Sequence, residues 1–174
     1  DDRDGDIYFQ RSDDEGETWE ALKVLSLFDE DEENDLDYTS ILLQYRTDIA
    51  ATGSYVHVAW IDYDSYNGGY DIYYIKSNNN GNTWSEPSIV GTASSPGGTT
   101  IQSSGSNVVI AWVDFGDIYV VSSGTNGDSW GSEQLLEGLS SNLNYMPEMI
   151  YSEGKFHIVW SNTAFGDSVQ YTNS

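Results

Sequence analysis

Alternating carboxylates in two stretches of the chain form the pattern best suited to a hard cation. One set lies within residues 2–6, and the other lies at residues 62–64, just ahead of an Asn-Gly pair. Ca²⁺ takes about six to eight oxygen ligands, which alternating aspartates and loop carbonyls can supply. The spacing therefore predicts a calcium site, and the alternative is a polar hairpin loop, since neither stretch matches a full EF-hand loop. The candidate ligands are Asp2, Asp4, Asp6, Asp62 and Asp64.

Aromatic residues close to predicted strand ends form a second candidate site. Rings presented by loops can stack on sugar faces or anchor a protein partner. The alternative is that these rings pack between neighbouring structural units. The candidate ligand-binding residues are Tyr63, Tyr66, Tyr70 and Phe115.

The two histidines, His57 and His157, occupy equivalent positions in similar segments. Histidines that bind a metal normally converge with other ligands, so we interpret this pair as structural. No glycine-rich phosphate loop precedes a helix, and serine is too frequent for a Ser-His-Asp set to be nominated.

Composition excludes several functional classes. The 174 residues include 6 basic and 29 acidic side chains, a net charge of −23, and no cysteine. Binding to nucleic acid needs a cationic face, and disulfides or thiolate zinc sites need cysteine. The longest apolar run, Val108–Val113, is far shorter than the ~18 residues of a membrane span. We therefore expect a folded domain that neither binds nucleic acid nor inserts into a membrane.

The acidic residues are concentrated near the start of the chain. Residues 1–50 hold 17 of the 29, and the densest run is residues 29–35. Such a run is usually a solvated loop, with cation binding as the alternative. An acidic surface with few lysines also suits a setting rich in salt or calcium.

A repeat organises the whole chain. One motif occupies Ser12–Trp19 and returns at Ser77–Trp84 and, in weaker form, at Ser123–Trp130. A strand-like stretch precedes each copy, and a strictly alternating apolar stretch ending in tryptophan follows at residues 56–60, 108–112 and 156–160. All six tryptophans are therefore repeat positions.

Each repeat is interpreted as four short antiparallel strands, which we call A to D. In the second repeat, strands C, D, A and B are predicted in that order at about residues 70–77, 83–90, 99–104 and 107–114. These segments are rich in β-branched and aromatic residues. Four-stranded units of this length are typical of β-propeller blades. The strand order along the chain is then C-D, A-B-C-D, A-B-C-D, A-B-C. The predicted fold is all-β, with about three blades in an incomplete ring unless another chain or more sequence completes it.

One propeller unit is expected to span residues 1–174. Repeat 1 covers about residues 1–61, repeat 2 about 62–113 and repeat 3 about 114–161, and an extra strand covers 162–174.

The Ser-x-Asp-x-Gly-x-Thr-Trp pattern resembles the Asp-box, or BNR, repeat of sialidases and related β-propellers. The first copy matches throughout, the second has Asn79 for Asp, and the third has Thr125 for Asp and Ser129 for Thr. In that motif the Ser and Asp side chains can bond turn amides, the glycine supplies positive φ and the tryptophan packs over the hairpin. The structural residues are then Ser12, Asp14, Gly16, Thr18, Trp19, Ser77, Asn79, Gly81, Thr83, Trp84, Ser123, Gly127, Ser129 and Trp130.

Sialidase activity is the enzymatic function that the resemblance implies. Members of that family hold the substrate carboxylate with three arginines and use a Tyr–Glu pair and an Asp. The three arginines here, Arg3, Arg11 and Arg46, do not lie in the family's Arg-Ile-Pro motif, so no catalytic residue is assigned. The acidic loops expected on the ligand face would also repel a sialic acid carboxylate.

We therefore expect a non-catalytic module, extracellular or on the cell surface, that assembles with itself through blade edges and binds a glycan or a protein. A sialidase-like glycoside hydrolase, or a fragment of one, is the alternative, and a structural lattice or filament subunit is a second. No cofactor is required, and Ca²⁺ is the candidate cofactor. The expected partners are further copies of the chain or the rest of a longer propeller.

Overall fold

The computed structural model describes residues 7–26, 47–64, 68–137, 144–162 and 168–173. These residues form strands, turns and irregular segments, with no helix among them. In this part of the chain, accordingly, no helix has the length and apolar character needed to cross a bilayer. The chain divides into two compact units, Asp1–Gln44 (unit 1) and Tyr45–Ser174 (unit 2).

Unit 1 contains a short antiparallel hairpin. Strand β1 (Tyr8–Phe9) pairs with β2 (Lys23–Val24). The pairing is extended by the Leu25 amide, which donates to the Ile7 carbonyl at 2.8 Å, and by the Ile7 amide, which donates to Ser26 Oγ at 2.8 Å. The connection between the two strands carries the first copy of the repeated motif.

Unit 2 contains three antiparallel sheets in which each strand pairs with its neighbours in sequence. Sheets I and II have four strands each, in the order A to D, and sheet III has three. Sheet I is β3 (Asp48–Thr52), β4 (Tyr55–Asp64), β5 (Gly69–Ser77) and β6 (Ser88–Ala93); sheet II is β7 (Pro96–Ser104), β8 (Asn107–Asp114), β9 (Asp117–Ser123) and β10 (Gln134–Glu137); sheet III is β11 (Asn144–Ser152), β12 (Lys155–Asn162) and β13 (Ser168–Asn173).

The sheets of unit 2 pack on one another as propeller blades do, with the A strands β3, β7 and β11 adjacent. Sheets I and II share one buried cluster, in which Ala59, Ile72 and Tyr74 of sheet I meet Ile110 and Trp112 of sheet II. Burying this apolar area is the main source of the stability of the junction. The three sheets do not close into a ring within the described residues.

A second cluster joins sheet II to sheet III. Ala111, Val113 and Ile118 of sheet II pack against Ile158 and Trp160 of sheet III. Sheets II and III therefore offer their tryptophan-bearing faces to the preceding sheet, and sheets I and II offer the opposite face of the B strand to the following one. Because successive side chains of a strand alternate between faces, one alternating segment supplies both contacts.

The predicted all-β class and blade architecture are confirmed. The strand predicted at residues 83–90 differs, because β6 begins at Ser88 instead of residue 83. Thr83 still belongs to the preceding turn, where its amide donates to Asn79 Oδ1 at 2.9 Å, and Pro87 has no amide hydrogen for a ladder. The repeat boundaries drawn at 61, 113 and 161 fall inside B strands, so each repeat joins the outer half of one sheet to the inner half of the next.

Candidate functional site

An acidic cleft lies at the inner edge of unit 2. It has a volume of about 280 Å³ and is lined by Thr47, Asp48, Thr99 and Glu148, which come from or immediately precede the A strands of all three sheets. None of these lining residues is basic. The cleft can therefore accept hydrogen bonds from neutral polyols through its carboxylates, and it disfavours anionic groups.

Asp48 is held in place by hydrogen bonds that join two sheets. Its Oδ2 accepts from Thr100 Oγ1 at 2.8 Å and from the Ile101 amide at 2.9 Å. Its Oδ1 accepts from the Ile49 amide at 2.8 Å. Both oxygens thus have partners, and the carboxylate links the A strand of sheet I to that of sheet II.

A tight turn between β8 and β9 presents an aromatic ring. Phe115 and Gly116 form the two-residue connection, with φ values of 49° and 86°, as a type I′ turn requires. Positive φ is unusual for a bulky residue and raises its energy. The Phe115 side chain is 69% exposed, so the ring is not kept there by packing into a core.

The Phe115 turn is fastened to the loop that joins sheets I and II. Asp114 Oδ1 accepts from the amides of Ser94 and Ser95, both at 2.8 Å. The Phe115 amide donates to the Ser95 carbonyl at 3.1 Å. From Pro96, which pairs with Asp114, β7 continues through a register shift to the cleft residue Thr99.

Three of the four predicted aromatic ligand-binding residues, Tyr63, Tyr70 and Phe115, lie in the described part of the chain. Tyr63 is 40% exposed and packs edge-on against Tyr70, with ring centroids 5.1 Å apart. Tyr70 also packs against the core cluster shared by sheets I and II. Tyr63 and Phe115 therefore lie at the B–C ends of sheets I and II, and Tyr66 lies outside the described residues.

The predicted calcium ligands fall mostly outside the described part of the chain. This holds for Asp2, Asp4 and Asp6, and for the side chain of Asp64. Asp62 Oδ1 accepts from the Tyr63 amide at 2.8 Å. Among the described residues, no group of three or more His, Asp or Glu side chains is arranged to hold a metal ion. Calcium binding stays a prediction.

The three copies of the repeated motif form similar turns, which we call turn 1 (12–19), turn 2 (77–84) and turn 3 (123–130). In each turn the serine Oγ accepts a hydrogen bond from the glycine amide four residues later. The distances are 2.8 Å from Gly16 to Ser12, 2.8 Å from Gly81 to Ser77 and 2.9 Å from Gly127 to Ser123.

The third motif position also bonds across each turn. Asp14 accepts from the Thr18 amide at 2.8 Å and from its hydroxyl at 2.5 Å. The Thr18 hydroxyl, the Thr18 amide and the Ser12 hydroxyl lower the pKa of Asp14 to about 2. In turn 3 the corresponding acceptor is Thr125 Oγ1, which receives the Ser129 amide at 3.0 Å. A hydroxyl therefore takes the place of the carboxylate there.

Turns 2 and 3 lie at the opposite end of their sheets from the Phe115 turn. The Asn80 amide donates to the Ser54 carbonyl, and the Asn126 amide to the Ser106 carbonyl, each at 2.8 Å. Ser54 and Ser106 belong to A–B connections. The candidate binding residues at the B–C ends are thus separated from these turns by the length of the strands.

His57 lies at the junction of sheets I and II and is fully buried. Its Nδ1 lies 2.7 Å from the Tyr74 hydroxyl, which in turn donates to the Asn126 carbonyl of turn 3 at 3.3 Å. Burial and, to a smaller extent, the charge of Lys76 lower the pKa of His57 to about 4. Burial raises the pKa of Tyr74, and the nearby charge of Asp128 adds to that effect.

Of the three arginines in the sequence, Arg11 lies in the described part of the chain. Arg11 pairs with Glu20 and lies 3.1 Å from Asp13, so its charge is used within unit 1. Arg3 and Arg46 lie outside the described residues.

The cleft residues Asp48, Thr99 and Glu148 were not predicted from the sequence. A signal was present, because Asp48 and Glu148 each stand twelve residues before the tryptophan of a B strand. Both pair with the residue that precedes this tryptophan, Ala59 and Val159. Comparison of the A strands between repeats would have found them.

No protein-family model matches this sequence, and no curated protein matches it. Solved structures do resemble it. A point mutant of NanB sialidase from Streptococcus pneumoniae aligns with 98% of this chain at a TM-score of 0.61 and 15% identity. Bacteroides ovatus xyloglucan PUL GH43B aligns with 75% at 0.53 and 14% identity. The catalytic domain of the Coprinopsis cinerea GH62 α-L-arabinofuranosidase aligns with 74% at 0.51 and 11% identity.

The fold is a sialidase-like β-propeller. At these identities the likeness concerns the fold alone. The chain spans only 27% of the NanB chain, 26% of the GH43B chain and 45% of the GH62 chain, so it corresponds to a part of each of these proteins.

Proposed function

We propose that the chain is a non-catalytic β-propeller module that binds a neutral carbohydrate and assembles with further copies of itself. The observation that carries the carbohydrate part is the exposed Phe115 ring, which is held at an unfavourable φ by a turn fastened to its neighbour. A residue kept in such a conformation while exposed suggests a functional role. We further propose that turns 1 to 3 are Asp-boxes with a structural role.

The chemistry around the B–C ends favours a neutral sugar as the ligand. Aromatic rings stack on the apolar faces of sugars, and the carboxylates of Asp48 and Glu148 can accept hydrogen bonds from sugar hydroxyls. Among the described residues that line it, the cleft has two acids and no basic side chain, which disfavours a sugar acid. An extracellular or cell-surface location is part of the proposal, because polysaccharides are met there.

The test uses isothermal titration calorimetry with neutral oligosaccharides of the xyloglucan and arabinoxylan types, and with sialyllactose as the anionic comparison. We expect binding of at least one neutral oligosaccharide and none of sialyllactose. Phe115→Asn should weaken that binding about tenfold, a loss of about 1.4 kcal/mol. Asparagine tolerates positive φ, so this variant removes the ring and keeps the turn.

The matched control is Leu135→Asn, which removes an exposed apolar side chain from the D strand of sheet II. It should bind as the unchanged protein does. Equal affinity of Phe115→Asn and the unchanged protein would remove Phe115 from the site, and no binding of any neutral sugar would reject the carbohydrate proposal.

A sialidase-like hydrolase is the second candidate, favoured by the likeness to NanB sialidase. Incubation with a fluorogenic sialoside distinguishes the two functions. Sustained release of the reporter by the purified chain would replace the binding proposal with the hydrolase. No release together with sugar binding would support a non-catalytic module.

A further inference from the structure

Sheets I and III carry corresponding residues on the sheet face opposite to the tryptophan of the B strand. In sheet I, β-pairing places Asp48 opposite Ala59, His57 opposite Ala50, and Tyr74 opposite Ala59. In sheet III, the same register positions are occupied by Glu148, His157 and Tyr171. An acid, a histidine and a tyrosine thus recur at equivalent points of the two sheets.

On sheet I this face holds turn 3 of sheet II. The Tyr74 ring packs edge-on against Trp130, with centroids 4.8 Å apart. Lys76 Nζ donates to the Asn126 carbonyl at 3.0 Å and pairs with Asp128. A tryptophan, a backbone carbonyl and an acid of the turn are therefore the groups that the face recognises.

On sheet III the corresponding face, which we call the open face, is uncovered in the described part of the chain. Ile150 occupies the position of the buried Ala50 and is 61% exposed. His157 and Val159 are half-buried where His57 and Ala59 are fully buried. Lys155 is exposed on the same face, because it alternates with His157 and Val159 along β12.

Turn 1 has exposed counterparts of the turn 3 groups that contact sheet I. It has the same serine-to-glycine hydrogen bond as turn 3, and Trp19 stands at the position of Trp130. The Trp19 side chain is 61% exposed, and no atom of the described residues lies within 4 Å of the position that a Cβ on Gly16 would take. Glu17 stands at the position of Asp128.

We propose that the open face of one copy binds turn 1 of a second copy, as sheet I binds turn 3. The register positions and the charges favour this occupant. Turn 1 contains the exposed acids Glu15 and Glu17. The open face carries the exposed Lys155, which pairs with Ser152, and the acid Glu148 lies four residues away along β11. This inference rests on the assembly part of the proposed function.

The proposed interface joins two different surfaces, so its symmetry is head-to-tail. Such a contact leaves a free open face at one end and a free turn 1 at the other, so assembly continues to a ring or a filament. A variant with a damaged open face keeps a usable turn 1, and a variant with a damaged turn 1 keeps a usable open face.

This asymmetry gives a sharp experiment by sedimentation velocity over a concentration series. The unchanged chain should form species larger than the 19.3 kDa monomer. Ile150→Glu and Trp19→Ala should each sediment as monomers, because each lacks one half of the contact. An equimolar mixture of the two variants should form a dimer and nothing larger, since it contains one intact open face for one intact turn 1.

Ile89→Glu is the matched control, because Ile89 is an exposed isoleucine on β6, away from the open face. It makes the same change of charge and should assemble as the unchanged chain does. Circular dichroism of all variants should show the same strand signal, since every substituted side chain is exposed. A loss of assembly in Ile89→Glu would assign the effect to net charge and overturn the proposed interface.

Three other results would also overturn it. An unchanged chain that stays monomeric at all concentrations would reject assembly itself, while sugar binding, measured separately, would be unaffected. Assembly that survives Ile150→Glu or Trp19→Ala would place the contact elsewhere. Monomeric variants that fail to combine when mixed would reject the head-to-tail pairing.

Discussion

Sheets I and III share a pattern of residues on one face, and the two faces differ in what covers them. On sheet I the imidazole of His57 is fully buried and bonds Tyr74, whose hydroxyl reaches turn 3 of the next sheet. On sheet III the corresponding His157 is half-buried. The two histidines occupy equivalent register positions, and turn 3 contacts Tyr74 and Lys76 on the face of sheet I.

The two faces also differ in the size of their central side chains. Sheet I has Ala50 and Ala59 where sheet III has Ile150 and Val159. Small residues allow sheet II to approach closely, and Ala50, Ala59 and Trp112 belong to one buried cluster. At the junction of sheets I and II, small residues on one side thus meet a turn whose glycine, Gly127, leaves room for the Tyr74 ring.

Among the variants that test the contact between sheet I and turn 3, Gly127→Ala should lose the most stability. Gly127 has φ +78°, and a Cβ there would lie 2.5 Å from Tyr74 Cζ. Left-handed strain and overpacking should together lower the free energy of unfolding by about 3–5 kcal/mol. Urea unfolding followed by tryptophan fluorescence measures this loss.

Gly105→Ala separates strain from crowding. Gly105 also has positive φ, +57°, but no atom of the described residues lies within 4 Å of the position that an added methyl group would take. It should therefore lose only the strain of about 1–2 kcal/mol. Equal losses for Gly127→Ala and Gly105→Ala would show that contact between Tyr74 and turn 3 does not stabilise the junction.

A second test compares the equivalent acids Asp48 and Glu148. Asp48→Ala removes the acceptor for the Thr100 hydroxyl and the Ile101 amide, and we expect a loss of about 2–3 kcal/mol. Glu148→Ala, at an exposed position, should lose less stability than Asp48→Ala, because water can replace the contacts of an exposed carboxylate. Thermal or urea unfolding of both variants gives the comparison.

Asp48→Asn serves as the control for charge. Both cross-sheet hydrogen bonds go to the same oxygen, Oδ2. An amide oxygen at that position can still accept both, so this variant should recover much of the loss. A Glu148→Ala variant as unstable as Asp48→Ala would mean that sheet III is already covered at this face.

Much of the fold could be predicted from the sequence, because the signals are local. The alternation in Val56–Trp60 and its repeats predicts B strands, and the motif at Ser77–Trp84 predicts a turn between C and D. The start of β6 was missed because the Thr83 amide bonds Asn79 within the turn. Such a hydrogen bond extends the turn at the expense of the strand and leaves no periodic signal.

The candidate site was less predictable, because it depends on contacts between sheets. Asp48 lines the cleft through its position on an A strand and bonds residues about fifty positions later. The aromatic residue Phe115 was predicted as a ligand contact. The hydrogen bonds from the amides of Ser94 and Ser95 to Asp114, which fix the Phe115 turn, were not predicted. No local pattern reports that a carboxylate will reach the loop of another sheet.

The smallest of the three effects concerns acid stability and the buried His57. The pKa of His57 is lowered to about 4 from 6.5, so the unfolded chain takes up this proton before the folded chain does. The stability that depends on neutral His57 is complete above pH 6.5 and is lost progressively as the pH falls toward 4. Between pH 7.5 and pH 5 this loss should be about 2 kcal/mol.

Comparison with His57→Gln isolates this contribution from the many carboxylates. The variant lacks the titrating ring, so the stability difference between the unchanged chain and His57→Gln should shrink by about 2 kcal/mol from pH 7.5 to pH 5. A difference that stays constant between the two pH values would mean that the turn 3 contact does not keep His57 neutral.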